Sequence, residues 1–398
     1  MNKILLPLLL FVTSTCFAQS WVQQSNIPSG RHHPITFSLN GIGYAVTGTS
    51  PSNQRTNSVF SYDPSNDTWG TLPTFPGAAR SFGIGVTNNG FAYMGFGFAT
   101  NYLNDFWRFD LSDSSWTQLA SCGCTGRRHP AMISIGGKIY VGLGDDATGD
   151  RNDWWEYQIS SNTWRRITNL PGPGRHHPFM FNAGGEVFAG LGHSGQVIYK
   201  DWYKLDTLSG TWTSQSQFPG QARVAGTQFD ANGYGYVLSG DGSNHSWMST
   251  GEFWRYDPSL DSWTQLAAHP GRSRWAPGSF VINNEVYFFG GLDRLINAYP
   301  TNMWKYTLAN PATGISESAE ALNLEVFPNP ADREILWNVD LNSQLTQVIL
   351  INALGQTVMN ESANSGKLDV QDLNDGLYFV QFFRDAKLIK TSKVLIQH

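Results

Sequence analysis

Charge is scarce in this chain. Only 14% of its 398 residues are Asp, Glu, Lys or Arg, and the formal net charge is −5. Such a chain lacks the basic surface that binding to nucleic acid requires. Cysteine is scarcer still, with Cys16, Cys122 and Cys124 the whole set. Cys16 falls in a leader, which leaves Cys122 and Cys124 in the mature chain. No further ligands lie in phase beside them, so a zinc site built on these two is not expected. Their Cys-Gly-Cys spacing leaves two states open, a tight bridge that an exported protein can keep or two free thiols. Beyond the leader no apolar run is long enough to cross a bilayer as a helix. Neither a nucleophile elbow nor a Walker phosphate loop is present.

Aromatic residues, by contrast, are abundant at 14%. Trp21, Trp69, Trp116, Trp164, Trp212 and Trp263 recur at intervals of 48, 47, 48, 48 and 51 residues. A period near 48 with other residues in phase marks repeated copies of one supersecondary unit. Nine residues before each Trp from the second onward stands Phe60, Trp107, Trp155, Tyr203 or Trp254. Two residues after each of these comes Tyr62, Phe109, Tyr157, Leu205 or Tyr256, the alternation of a strand with one buried face. Polar turns such as Asp63-Pro64-Ser65-Asn66-Asp67 separate that strand from the Trp strand. Earlier in each unit an aromatic precedes Gly48, Gly97, Gly144, Gly192, Gly240 or Gly291 by four residues. An arginine opens the unit: Arg31, Arg80, Arg127, Arg175, Arg223 and Arg274. Each unit therefore reads as four antiparallel strands, a to d. Arg heads a, Gly closes b, the aromatic pair lies in c and Trp in d.

These elements resemble the kelch repeat over roughly residues 20 to 308. The Pro-Gly-x-x-Arg entry occurs at Pro76, Pro171, Pro219 and Pro270, and the Tyr-x-x-x-Gly strand end and the Asp-Pro turn accompany it. The double glycine of the family is intact only at Gly290-Gly291. The resemblance implies a β-propeller. The last unit has Thr313 where a Trp would stand, and the first supplies Trp21 with no strands a to c before it. The N-terminal strand is therefore expected to complete the last blade, closing six blades and leaving no open edge.

Residues 1–18 read as a secretory signal. Lys3 supplies the charged start, residues 5–12 the apolar core, and Cys16-Phe17-Ala18 a cleavage site before Gln19. A lipoprotein reading would acylate Cys16, but Thr15 fits that poorly. The propeller is expected over 19–308, followed at 309–321 by a linker of Pro, Gly, Ser and Glu without aromatics. Residues 322–398 show short alternating strands at 322–327, 334–339, 347–351, 376–383 and 387–396, the pattern of a small Ig-like β-sandwich. This segment resembles the C-terminal sorting domain of type IX secretion substrates. The matching residues are Val326-Phe327-Pro328-Asn329-Pro330, then Asn352-Ala353-Leu354-Gly355-Gln356, then Leu373-Asn374-Asp375-Gly376-Leu377-Tyr378, and a basic end that includes Lys393. The resemblance implies the type IX machinery and its sortase as partners, and a secreted or surface-attached protein. An ordinary carbohydrate-binding or Ig-like sandwich is the other reading. Both domains are long enough for their own cores.

Meander geometry places the d–a and b–c loops on one face. The six arginines should therefore ring the channel mouth. They could clasp an acidic ligand through bidentate guanidinium contacts, or bond loop carbonyls and neighbouring blades. Their repetition favours the scaffold role. The b–c loops break the repeat, and Asp145, His193 and Asp241 there are weak candidates for acid/base chemistry. Asp145, Asp146, Asp150 and Asp153, with Asp241, could hold Ca²⁺ through oxygen ligands, but a solvated acidic loop accounts for them better. His33, His129 and His177 share one position two residues after the arginine. They come from units one, three and four, a histidine there is common in kelch patterns, and no metal or other cofactor is expected. Trp247 and Trp275 are out of phase and either stack on a sugar ring or fill space beneath loops.

The resulting expectation is an all-β protein, a six-bladed kelch-type propeller with a C-terminal sandwich. It is read as a non-catalytic binding module for a glycan or extracellular protein, and as a monomer. The alternative is a carbohydrate-active enzyme similar to the sialic acid mutarotases, using an Arg-lined mouth. The copper site of the galactose oxidase type has no matching ligands here. Both enzymatic readings rest on fold-level analogy.

Overall fold

The computed structural model describes residues 20–308, 324, 326–337, 345–352, 356–384 and 387–398. The leader and the linker expected at 309–321 lie outside the described residues, as does Gly355. The chain divides into two compact units, residues 1–309 and 310–398, and every sheet in both is a β-sheet of mainly antiparallel strands.

The first unit contains six four-stranded sheets in chain order. Sheet one runs Ile35–Leu39, Ile42–Val46, Val59–Asp63 and Thr68–Leu72 as strands a to d. Sheets two to five repeat this meander with inner strands a at Ile84–Asn88, Ala131–Ile135, Phe179–Ala183 and Thr227–Ala231. Sheet six has only three consecutive strands, Gly278–Ile282, Glu285–Phe289 and Met303–Thr307. Its fourth is the N-terminal Val22–Gln24, paired antiparallel with Val22 opposite Lys305 and Gln24 opposite Met303. Strand a of each sheet touches strand a of the next, and the sixth touches the first.

Burial follows from this stacking. In all six sheets strand b is buried from its second residue onward, on both faces, because it has a sheet on either side. Strand d alternates between half-buried and exposed. The recurring Trp sits there and reaches back to the preceding sheet. Ring centroids lie 5.1 Å apart for Trp164 and Phe106, 5.0 Å for Trp212 and Trp154, and 5.4 Å for Trp263 and Trp202. Trp21 meets Phe253 of sheet five at 5.7 Å, and Trp69 meets Phe289 of sheet six at 5.5 Å. The indoles of Trp21, Trp69, Trp164 and Trp263 donate to the carbonyls of Ala267, Ser25, Ala120 and Ser216, on or just past the neighbouring d strand. The residue two before Trp closes the same junction. Asp67, Asn162 and Asp261 accept the backbone N–H of Ser25, Ala120 and Ser216 and the hydroxyls of Tyr62, Tyr157 and Tyr256. The Asp-x-Trp pattern is thus a staple between sheets.

The second unit has a three-stranded sheet (Val326–Phe327, Glu334–Trp337, Lys367–Asp369) and a four-stranded one (Thr357–Ser362, Gln347–Asn352, Gly376–Arg384, Lys387–Ile396). Ile335, Trp337, Val348, Val380 and Phe382 belong to an apolar cluster at its core. Asn329 fastens the last strand: its Oδ1 accepts from the Leu395 N–H at 2.9 Å and its Nδ2 donates to the Lys393 carbonyl at 3.1 Å. Tyr378 donates its hydroxyl to the Asn374 carbonyl. The side chains of the Pro-Asn-Pro and Gly-Leu-Tyr motifs therefore hold the end of the domain in place. No described helix is long and apolar enough to cross a membrane.

Candidate functional site

The arginines do not begin strand a; each lies four residues ahead of it, in the d–a loop. There the loop bridges the b–c loop of its own sheet. His32 pairs with Thr49, Ser81 with Phe98, Arg128 with Asp145, His176 with His193, Val224 with Asp241 and Trp275 with Leu292. Both loop sets therefore share a face. The glycine ending strand b donates its N–H to the carbonyl of the next sheet's arginine, as at Gly48 to Arg80, Gly97 to Arg127 and Gly291 back to Arg31.

All six arginine side chains point into the protein. Each donates Nη1 to the carbonyl sixteen residues on: Thr47, Phe96, Leu143, Leu191, Ser239 and Gly290. These six residues have φ between 51° and 65°, the left-handed region. The residue ahead of the glycine that ends strand b therefore keeps a glycine-like conformation in every sheet, and the guanidinium caps its carbonyl. Each guanidinium also finds the residue two before the aromatic of strand c. Arg80 is bidentate to Asp105 (2.6 and 2.7 Å), Arg127 to Asp153 (2.8 and 3.1 Å), and Arg175 to Asp201 (2.5 and 3.0 Å). Arg223 pairs with Glu252, Arg274 with Asn302 and Arg31 with Ser58. Burial pulls Arg31, Arg223 and Arg274 down to about 10. The arginines expected to ring the mouth are thus turned inward, each guanidinium bonded within the protein. Their partners were in phase but missed, because Ser, Asp, Glu and Asn alternate at that position.

The acidic loop is ion-paired rather than solvated. Asp145 meets Arg128 at 2.5 Å and His129 Nδ1 at 3.1 Å, Asp146 meets Arg151, Asp150 meets His176 Nδ1 at 2.6 Å, and Asp153 meets Arg127. A Ca²⁺ ion would compete with a cationic or N–H partner at every one of these carboxylates. Burial pushes Asp145 up, but His129 and Arg128 outweigh it and hold it below the usual carboxylate range. Asp241, fully buried, accepts from the Ser273 hydroxyl at 3.0 Å and lies 3.3 Å from Arg294 Nε. Burial dominates there and raises its pKa to about 6.

Histidine is where the face concentrates. Seven of the nine histidines of the chain, His32, His33, His129, His176, His177, His193 and His245, lie in one contiguous array. The residues two after each arginine are His33, Phe82, His129, His177, Ala225 and Ala276, all at φ between 48° and 65°. They line one end of a cavity of about 650 Å³. Phe37, Val86, Ile133, Phe181, Phe229 and Phe280, one from each inner strand, line its wall. The cavity brings together residues from units one, three and four that sequence order keeps apart. Trp275 packs inside the array, 4.8 Å from His32 and 4.5 Å from His33, with Arg294 over its ring at 4.6 Å. It fills space among the histidines. Sequence reasoning missed His32, His176, His245, Arg128 and Arg294. The Arg-x-His-Pro runs at Arg31, Arg127 and Arg175 were the available signal.

Trp247 is 42% exposed, as are Val197 (57%), Leu295 (46%) and Ile296 (62%). These four belong to the b–c loops of sheets four, five and six. Only Val22, Leu208 and Leu260 match them elsewhere among the described residues of this unit. Cys122 and Cys124 lie side by side as a disulfide, with Cα atoms 5.1 Å apart.

Fold and site together describe an all-β protein whose non-repeating side chains gather on one loop face. Residues 325–397 match the family model of the secretion system C-terminal sorting domain. The tail makes this a type IX secretion substrate, an extracellular protein attached to the cell surface, and an interactor of that secretion machinery. None of the curated proteins compared with the chain matches it.

Proposed function

We propose that residues 20–308 form a six-bladed kelch-type β-propeller that acts as a non-catalytic binding module for a glycan or an extracellular protein. Six four-stranded sheets with inner strands touching in cyclic order support the propeller. The observation that carries the binding role is the exposed group Val197, Trp247, Leu295 and Ile296 on consecutive b–c loops. Large apolar side chains gathered on one loop face mark interaction sites more than scattered ones do. The sorting domain delivers this face to the exterior, and removal of the tail by a sortase, with attachment to surface lipopolysaccharide, completes the reading. The mutarotase-type alternative needs a free guanidinium for a carboxylated sugar, and the inward pairing of all six arginines argues against it.

The test is an array of glycans and extracellular proteins probed with the mature chain and with Trp247→Ala and Ile296→Ser. Binding that weakens in both variants supports the module. Binding to a carboxylated sugar that survives both, accompanied by turnover of that sugar, would overturn it.

A further inference from the structure

We propose that His33, His129 and His177 hold a divalent transition-metal ion, zinc or a close analogue, at the end of the axial cavity. The nitrogens these three residues offer lie within 4.8 Å of one another. His33 Nε2 and His177 Nε2 are 3.4 Å apart. Two ligands of a tetrahedral zinc ion with ordinary Zn–N bonds stand about 3.3 to 3.4 Å from each other. The spacing of this pair is therefore the edge of such a site. It is a poor contact otherwise, because two neutral imidazoles that meet nitrogen to nitrogen share one hydrogen bond at most.

His129 supplies the third ligand. Its Nδ1 lies 3.1 Å from Asp145 Oδ1, and an ionised carboxylate only accepts, so Nδ1 carries the proton and Nε2 the lone pair. That Nε2 is buried and has no hydrogen-bond partner among the described residues. A carboxylate behind a histidine is the usual support of a metal ligand, fixing its tautomer and raising its basicity. Behind His33, His32 plays the same part, with Nδ1 to Nδ1 at 2.7 Å. Phe82 lies 4.4 Å from the His33 ring and 4.7 Å from the His129 ring, and Trp275 closes on His33. The ligands thus sit against an aromatic shell.

Three ligands leave a fourth position. All three residues line the cavity, so that position opens into it, where water or an oxygen of a ligand completes the coordination. Three protein ligands and one open position distinguish such sites from closed structural ones. A second group, His176, His177, His193 and His245, shares His177. Its contact runs from His177 Nδ1 to His193 Nε2 at 3.3 Å, so one imidazole faces both groups with different nitrogens. The inner group is assigned because it faces the cavity and its unpartnered nitrogen, His129 Nε2, belongs to a buried ring, whereas the unpartnered Nδ1 of the outer group belongs to half-buried His245.

The experiment loads the mature protein, stripped with a chelator, with Zn²⁺ and separately with Co²⁺. Calorimetry and metal analysis give affinity and stoichiometry, and the visible d–d bands of cobalt give geometry. The account expects one ion per chain and a four-coordinate cobalt spectrum. His33→Gln and His129→Gln should each weaken binding about 100-fold or more, and Asp145→Asn about 10- to 100-fold, the scale of lost second-sphere support. Thermal unfolding of each variant in chelator, compared with stripped wild type, separates loss of the site from loss of the fold. Should a ligand variant not fold, Asp145→Asn carries the test. Absence of stoichiometric binding by the folded protein overturns the assignment. So does binding that survives His33→Gln and His129→Gln but is abolished by His245→Ala, which would put the ion on the outer group.

Discussion

Arg127→Ala is the most direct probe of what the recurring arginines do. The substitution removes a fully buried guanidinium that makes two contacts to Asp153, at 2.8 and 3.1 Å, and donates to the carbonyls of Leu143 and Thr125. Asp153 is left at 19% side-chain exposure with the Trp155 indole as its remaining side-chain donor. Breaking a buried pair by removing one partner costs about 3–5 kcal/mol. In a domain of this size each kcal/mol lowers the melting temperature by about 2–4 °C. A fall on the order of 10 °C follows, read by tryptophan fluorescence of the mature protein. Arg166→Ala is the control, since Arg166 is exposed and bonds only Asn169; its effect should stay within about 0.5 kcal/mol. The pair Arg127→Met with Asp153→Leu should cost clearly less than the sum of the single changes. An Arg127→Ala protein that melts with the wild type but loses ligand binding would refute the scaffold reading and restore the arginines as a ligand ring.

Three further outcomes follow from the same geometry. Thr47 is buried at φ 61° with its hydroxyl unpartnered. Relief of left-handed strain, about 1–2 kcal/mol, against the entropy glycine adds to the unfolded chain, about 0.5–1 kcal/mol, makes Thr47→Gly a stabilising change of about 1 kcal/mol, visible as a raised melting temperature. Burial lowers His269 to about 3. Its folded pKa lies below the unfolded 6.5, so its contribution is complete above pH 6.5 and is lost as pH falls toward 3, at about 1.4 kcal/mol per pH unit. Asp241, raised to about 6, works in the opposite direction below pH 6. His269→Phe should therefore flatten the acid limb of a stability–pH curve by close to one proton, and an unchanged limb would contradict the burial argument. Deleting residues 322–398 should leave the first unit in the periplasm, and normal surface display of that deletion would contradict the role of the tail.

The repeat was legible because the recurring Trp packs on rings of the preceding unit each time. At Trp69, Trp164 and Trp263 the Asp or Asn two residues earlier adds a staple to the neighbouring d strand, so these residues stay in phase. The tail was legible for a related reason: Asn329 and Tyr378 bond backbone at fixed offsets and admit few substitutes. The arginine partners were hidden, since any small or acidic acceptor serves at 58, 105, 153, 201, 252 and 302. The histidine array was hidden for a different reason. His33 and His177 are 144 residues apart, and only the convergence of the loops on one cavity puts their rings in contact. Distance along a repeat array says little about distance across the cavity that the repeats surround.

The b–c loop face, with Trp247 as its anchor, is what takes the ligand in this reading. The most direct measurement is the dissociation constant for the first array ligand, compared among wild type, Trp247→Ala and Arg166→Ala. Loss of an exposed aromatic anchor at an interface costs about 2 kcal/mol or more, so Trp247→Ala should weaken binding about 30-fold while Arg166→Ala leaves it unchanged. Equal affinity in all three proteins would contradict the account.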